Sequence, residues 1–161
     1  MREYWGGMLE EGATSFWEAY DPAWPKENPH ASLQADRKRG YYVSLAHGWS
    51  SGPALWMMDH LAGITQSSAD QRLYRIAPWR GGQAPFEGSV RTHTGALRVR
   101  VTQASGWRVH VELPEGVRAE FVAPEGMKIR ARDEREPKRM LSGKDDSYPI
   151  GPGGSYEFSE Q

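Results

Sequence analysis

From Leu73 onward, apolar positions recur at every second residue. Leu97, Val99 and Val101 alternate with Arg98, Arg100 and Thr102. Trp107, Val109, Val111 and Leu113 alternate with Arg108, His110 and Glu112, and Val117, Ala119 and Phe121 continue the pattern. A period of two belongs to a strand with one buried and one wet face. Turn signals at Ala104 to Gly106, Pro114 to Gly116 and Pro124 to Gly126 fall about ten residues apart, which predicts an antiparallel β-sandwich. A last strand is expected around Tyr156 and Phe158. The charge-dense run from Arg130 to Asp146 reads as a solvated loop.

The first part of the chain lacks that alternation. Met1 to Glu11 is helix-friendly, interrupted at Gly6 and Gly7, and ends at Gly12, a residue suited to a helix C-cap. A second helix is predicted from Gly52 to Ala62. Ser50 or Ser51 serves as its N-cap, Pro53 sits in its first turn, Leu55, Met58 and Ala62 form its apolar stripe, and Gly63 stops it. Between the two, Asp21 to Arg39 is proline-rich, polar and aperiodic, and reads as a long irregular excursion of the kind that forms a lid, a rim or disorder. Two short helices cannot bury their own apolar faces, so this unit calls for helical neighbours. The expectation is a two-part α+β chain, residues 1–70 helical and residues 71–161 a β-sandwich.

Composition sharpens this picture in three places. At 161 residues, with mean hydropathy −0.73, 18 Gly and 11 Pro, the chain is polar and rich in turns. Without cysteine there are no disulfides or thiolate metal sites, and the compartment, cytoplasmic or secreted, stays open. No apolar run is long enough for a membrane helix, and MREYWGG lacks the apolar core of a signal peptide. The formal charge of −1 is unevenly spread: residues 1–70 hold 5 Lys and Arg against 9 Asp and Glu, the remainder 15 against 12. Neither part carries the basic stripe with interleaved aromatics that nucleic acid requires. An acidic first part suits a positively charged, oxocarbenium-like transition state.

The chemistry-bearing stretch is Tyr4 to Pro22. Tyr4, Trp5, Phe16, Trp17 and Tyr20 supply flat apolar faces, while Glu10, Glu11, Glu18 and Asp21 supply carboxylates. Stacking surface beside carboxylate is the pairing that sugar chemistry uses. Glu18, between Trp17 and Tyr20, is either a catalytic carboxylate aimed by its neighbours or a solvated glutamate at a helix start. Ser44 to Trp56 repeats the mixture of His, Trp, Gly and Ser. There, His47 is either a functional group or a structural histidine at a turn. Trp17 and Trp49 are either sugar platforms or core, whereas Trp5 and Trp56 read as packing. Asp59 and His60 lack a second ligand pair, and His30, His93 and His110 have no partners in sequence, so no metal site is expected.

Three ordered blocks, WGGMLEEGATSFWEAYDP, SLAHGWSSGPALWMMDHLAGI and LYRIAPW, resemble the C-terminal part of a bacterial α-L-rhamnosidase of glycoside hydrolase family 78. The resemblance covers roughly residues 4–100. It implies that residues 1–70 are closing helices of an (α/α)6 barrel and that residues 71–161 form a C-terminal β-sandwich behind it. It further implies an inverting hydrolysis of terminal α-L-rhamnosides with no cofactor. In that reading Glu18, from the family's Trp-Glu motif, resembles the general base, and His47, from its Ser-Leu-x-His-x-Trp-Ser block, contacts a sugar hydroxyl. The general acid falls upstream of this chain, and Glu10 and Glu11 sit on helix-like sequence where capping or solvated charge is the usual role. The chain alone is therefore expected to be inactive, its partner being an upstream barrel segment or a second copy. Two alternatives stand beside this reading: another six-hairpin glycosidase, and a non-catalytic carbohydrate-binding module.

Overall fold

In a computed structural model, the chain is described over residues 2–23, 44–70, 72–81, 85–136 and 140–161. Beyond residue 23, the excursion expected over Asp21 to Arg39 lies outside the described residues. Two compact units emerge, Met1–Leu55 and Trp56–Gln161.

In the first unit a π-helical turn, Arg2–Gly6, runs into α1, Gly7–Glu10, so Gly6 and Gly7 are passed through rather than interrupting the helix. Gly12, at φ +87°, closes α1 with a Schellman pattern. Its N–H donates to Leu9 O at 3.0 Å, the Ala13 N–H donates to Met8 O at 2.9 Å, and Ala13 packs on Met8. The small core here is Met8 and Trp17, with Trp5, Ala13, Tyr20 and Leu45 against them. A 3₁₀ turn at Gly48–Ser51 leads into α2, Gly52–Trp56.

The second unit opens with a π-helical turn, Met57–Leu61, whose widened bond runs from Ala62 N–H to Met57 O at 3.1 Å. That extra residue per turn rotates the predicted stripe. Ala62 is buried and Met58 half-buried, but Leu55 is 64% exposed. Nine strands follow among the described residues: β1 Ile64–Gln66, β2 Leu73–Ile76, β3 Phe86–Arg91, β4 Ala96–Thr102, β5 Arg108–Leu113, β6 Arg118–Val122, β7 Ile129–Asp133, β8 Ser147–Ile150 and β9 Gly154–Glu160. They form one sheet in the order β1-β2-β6-β8 and another in the order β3-β4-β5-β9-β7.

Three sequence expectations need correction. The sandwich is not wholly antiparallel, because β2 and β6 run parallel, with Tyr74 opposite Ala119 and Ile76 opposite Phe121. Between them the chain passes through three strands of the other sheet, which supplies the long crossover that a parallel pair needs. The charged run also begins inside a strand: Ile129, Ala131 and Asp133 turn inward on β7 while Arg130 faces solvent. Strand pairing starts ahead of residue 70 as well, since β1 lies at Ile64–Gln66.

Both sheets contribute to one core. Phe121 of β6 and Phe158 of β9 stack with centroids 3.6 Å apart and planes 8° from parallel, and Tyr148 of β8 meets both rings edge-on. Leu97, Val99, Val101, Val109 and Val111 are fully buried. Side chains of this size each contribute about 1.5–3 kcal/mol on burial, so this layer dominates the unit's stability. Gly88 on β3 is required by close approach, because a Cβ there would lie 2.6 Å from that of Ala62. Three side-chain polar atoms are buried without a hydrogen-bond partner among the described residues: Tyr74 Oη, Trp107 Nε1 and Arg132 Nε.

Candidate functional site

The aperiodic stretch after α1 is held by the 44–50 segment rather than by regular structure. The Glu18 N–H donates to Ser44 O at 2.8 Å, and the Ser44 N–H returns a bond to Glu18 Oε2 at 2.9 Å. The Trp49 indole N–H donates to Glu18 O at 3.0 Å, with Ser50 Oγ at 3.5 Å from the same oxygen. Next along, the His47 N–H donates to Phe16 O at 2.6 Å, and Ser15 Oγ donates to Leu45 O. Trp5 Nε1 bonds Ser50 O at 3.0 Å and ties the N-terminal helical turn to the same segment.

The result gathers three of the four residues singled out from sequence. Glu18 is half-buried, with one carboxylate oxygen anchored on a backbone N–H and no hydrogen bond to Oε1 among the described residues. His47, also half-buried, lies against Trp49 with ring centroids 4.6 Å apart and planes at 50°. Trp49 is 73% exposed, although its indole N–H is committed to Glu18. A carboxylate with one fixed and one open oxygen can take a proton from water.

Trp17 is placed differently. It is 4% exposed, packs on Met8 and lies 6.1 Å from the Tyr20 ring, so its surface is used in the core and little remains for a ligand. Trp5 packs against the same core, while Trp56 stacks on His60 at 4.7 Å and stays 43% exposed.

Sequence reading left His110 without partners, and the structure gives it three. On the open face of the larger sheet, His110 Nδ1 lies 3.2 Å from Glu134 Oε1, and Nε2 lies 3.2 Å from Ser155 Oγ and 3.5 Å from Glu112 Oε1. Ser155 Oγ also donates to Glu134 Oε2 at 2.5 Å, which commits its proton to the carboxylate rather than to the imidazole. The pairing of β5 with β9 sets Glu112 opposite Ser155, and that of β7 with β9, continued by the Glu134 N–H donating to Ser155 O at 2.9 Å, adds Glu134. Two grooves also belong to this unit. One of about 620 Å³ is lined by Asp70, Arg72, His93 and Glu115, and one of about 860 Å³ by Arg118, Glu120, Ser142 and Lys144; neither includes Glu18, His47 or Trp49. Among the described residues no group of three or more His, Asp or Glu is arranged to hold a metal, and no helix is long and apolar enough to cross a membrane.

No family model matches the chain, and no curated protein matches it. Solved structures do. An α-L-rhamnosidase from Streptomyces avermitilis, complexed with L-rhamnose, is 22% identical over 100% of this chain, with a TM-score of 0.70. An α-L-rhamnosidase from Dictyoglomus thermophilum is 17% identical over 97% of the chain, TM-score 0.65, and one from Aspergillus terreus is 19% identical over 98%, TM-score 0.63. At these identities the likeness is one of fold, and it takes in both units. The chain spans 15%, 17% and 16% of the length of those three structures.

Proposed function

We propose that the chain is the C-terminal part of an inverting α-L-rhamnosidase, with the helical part ahead of β1 closing an (α/α)6 barrel and Glu18 acting as its general base. The observation that carries the reading is the Glu18 carboxylate, held at Oε2 by the Ser44 N–H and open at Oε1, with the Glu18 carbonyl held by Trp49, whose ring lies against His47. Glu18 Oε1 takes a proton from water as that water attacks the anomeric carbon. A carboxylic acid on the opposite face, supplied by the upstream barrel, hydrogen-bonds and protonates the departing oxygen, the two carboxyl groups standing about 6.5–9.5 Å apart to leave room for the water. His47 contacts a ring hydroxyl, and the exposed Trp49 face packs on the sugar. Trp17 supports this wall from within the core. No cofactor enters the chemistry.

A fold likeness extending across both units to rhamnosidase structures supports this assignment over that of an unrelated six-hairpin enzyme. The test is turnover of p-nitrophenyl α-L-rhamnoside by a chain that includes the upstream barrel, with Glu18→Gln as its control and aryl glycosides of other sugars as competitors. Turnover of the rhamnoside that collapses in Glu18→Gln is the expected result. Near-normal turnover in that variant removes Glu18 from the chemistry, and preference for another sugar reassigns the substrate.

A further inference from the structure

The 620 Å³ groove lies at one end of the sandwich, where three connections meet: the β1–β2 loop with Asp70 and Arg72, the β3–β4 turn with His93 and Thr94, and the β5–β6 turn with Glu115 and Gly116. Its volume falls within the range of small-molecule sites, about 300–1,000 Å³.

The walls are stitched together by bonds that do not use the groove's charged heads. Thr94 Oγ1 donates to the Glu115 carbonyl at 2.6 Å, joining the second connection to the third. The Arg118 N–H, at the start of β6 just after the third connection, donates to the Arg72 carbonyl of the first at 2.9 Å. Within the β3–β4 turn, buried Thr92 donates to Gly95 O at 2.8 Å. The Val117 N–H donates to Pro114 O at 3.2 Å, and the Gly153 N–H donates to Val117 O at 2.9 Å. A groove fixed in this way needs little ordering when a ligand arrives.

The chemistry at its surface is balanced. Asp70 and Glu115 offer carboxylates, Arg72 a guanidinium, His93 an imidazole and Thr94 a hydroxyl. Ser68 Oγ at 2.6 Å and the Arg72 N–H at 3.1 Å hold the Asp70 carboxyl below the usual carboxylate range, so it remains an acceptor at neutral pH. Arg72 Nε stands 4.0 Å from Asp70, leaving both heads largely in solvent and able to reach a guest. An anion meets two carboxylates here, a cation meets a guanidinium, and an apolar guest strips water from all of them without return. A neutral polyhydroxylated guest satisfies donors and acceptors together.

We propose that this groove is a binding site for a neutral sugar unit, recognised through vicinal hydroxyls by Asp70, Arg72 and Glu115. The site does not depend on Glu18 and stands whether or not the rhamnosidase reading does.

The experiment is a titration of the isotope-labelled 161-residue chain, followed by backbone amide shifts. The probes are L-rhamnose, D-galactose and D-glucose, with inorganic phosphate and calcium as charged controls. At least one sugar, at millimolar concentration, is expected to move the amides of Asp70, Arg72, Thr94 and Gly116 in a saturable way. Arg72→Ala and Glu115→Ala each weaken that binding about tenfold or more. Both variants keep the backbone carbonyls that stitch the groove, and unmoved amides along β4, β5 and β9 report that the sandwich is intact. Glu157→Ala, on the open sheet face, leaves binding unchanged. The proposal is overturned by any of three results: no saturable shift at these residues with any of the sugars, saturation by phosphate or calcium in their place, or undiminished sugar binding in both groove variants.

Discussion

Glu18 and Ser44, 26 residues apart, hold each other at both ends: backbone to backbone at 2.8 Å and carboxylate to backbone N–H at 2.9 Å. The pairing fixes where a flexible glutamate head points. A carboxamide keeps an oxygen able to accept the Ser44 N–H but cannot accept a proton from water. Glu18→Gln is therefore expected to preserve the local fold and, in a chain carrying the upstream barrel, to lower turnover about 10²–10⁴-fold or more. Rhamnoside hydrolysis together with sugar binding checks this, binding being the quantity that should survive.

Trp49 supplies the second grip on Glu18. Trp49→Phe keeps an aromatic face, though a smaller one, and deletes the N–H that bonds Glu18 O. If Trp49 served solely as a platform, KM would carry the change. Because the indole also fixes the Glu18 backbone, kcat is expected to fall with little change in KM, by the about 0.5–1.5 kcal/mol of one hydrogen bond. Steady-state kinetics on the same longer chain separates the two.

Tyr74 presents the opposite situation, a buried hydroxyl with no partner among the described residues. Such a group costs about 1–3 kcal/mol, so Tyr74→Phe is expected to raise stability by about 1 kcal/mol at pH 7. Burial also raises the pKa of Tyr74, and of Tyr156, above the usual 10.0. A group whose folded value is raised stabilises fully below its unfolded value and loses that contribution as pH climbs through the folded one. Urea midpoints should hold up to pH about 10 and then decline, less steeply in Tyr74→Phe.

At the centre of the sandwich, Phe121→Ala removes a ring stacked on Phe158 and touched by Trp107 and Tyr148. A loss of about 3–5 kcal/mol is expected from urea unfolding of the 161-residue chain.

Gly63 ends the π-helical turn at φ +67° and lies so close to Ala77 that a Cβ would overlap its carbonyl. Its own carbonyl accepts the Ala77 N–H at 2.9 Å. Gly63→Ala combines left-handed strain with that overlap and should destabilise by more than about 2 kcal/mol, read from the same unfolding curves.

The parts legible in the sequence were those whose signal is local. Alternation along Leu97–Val101 and Val109–Leu113 is written residue by residue, and so is the glycine that closes α1. The strand at Ile129–Asp133 was hidden because Arg130 and Arg132 dominate its composition while Ile129 and Ala131 carry its burial. The parallel pairing of β2 with β6 is non-local, and nothing in either strand announces its partner. At the site, Glu18 was legible as a residue type, but its clamp was not, because the bonds that aim it come from backbone groups of Ser44 and from an indole N–H. Trp17 and Trp49 looked alike in sequence, and tertiary packing alone separates the buried ring from the open one. His110 was missed as a partnered residue for the same reason: its contacts lie across strands.

The ion pairs on the open sheet face, Glu87 with Arg100 at 2.7 Å and Arg98 with Glu112 at 3.2 Å, join residues directly opposite one another. Exposed pairs of this kind add little to stability. Their weight falls instead on mistakes. If β4 slipped by one position against its neighbours, both pairs would break, Leu97, Val99 and Val101 would turn to water, and Arg98 and Arg100 would be driven into the core. A misaligned sheet is thus rejected on both faces at once, so the chain has one alignment to find as it closes and few stable wrong ones in which to stall or aggregate.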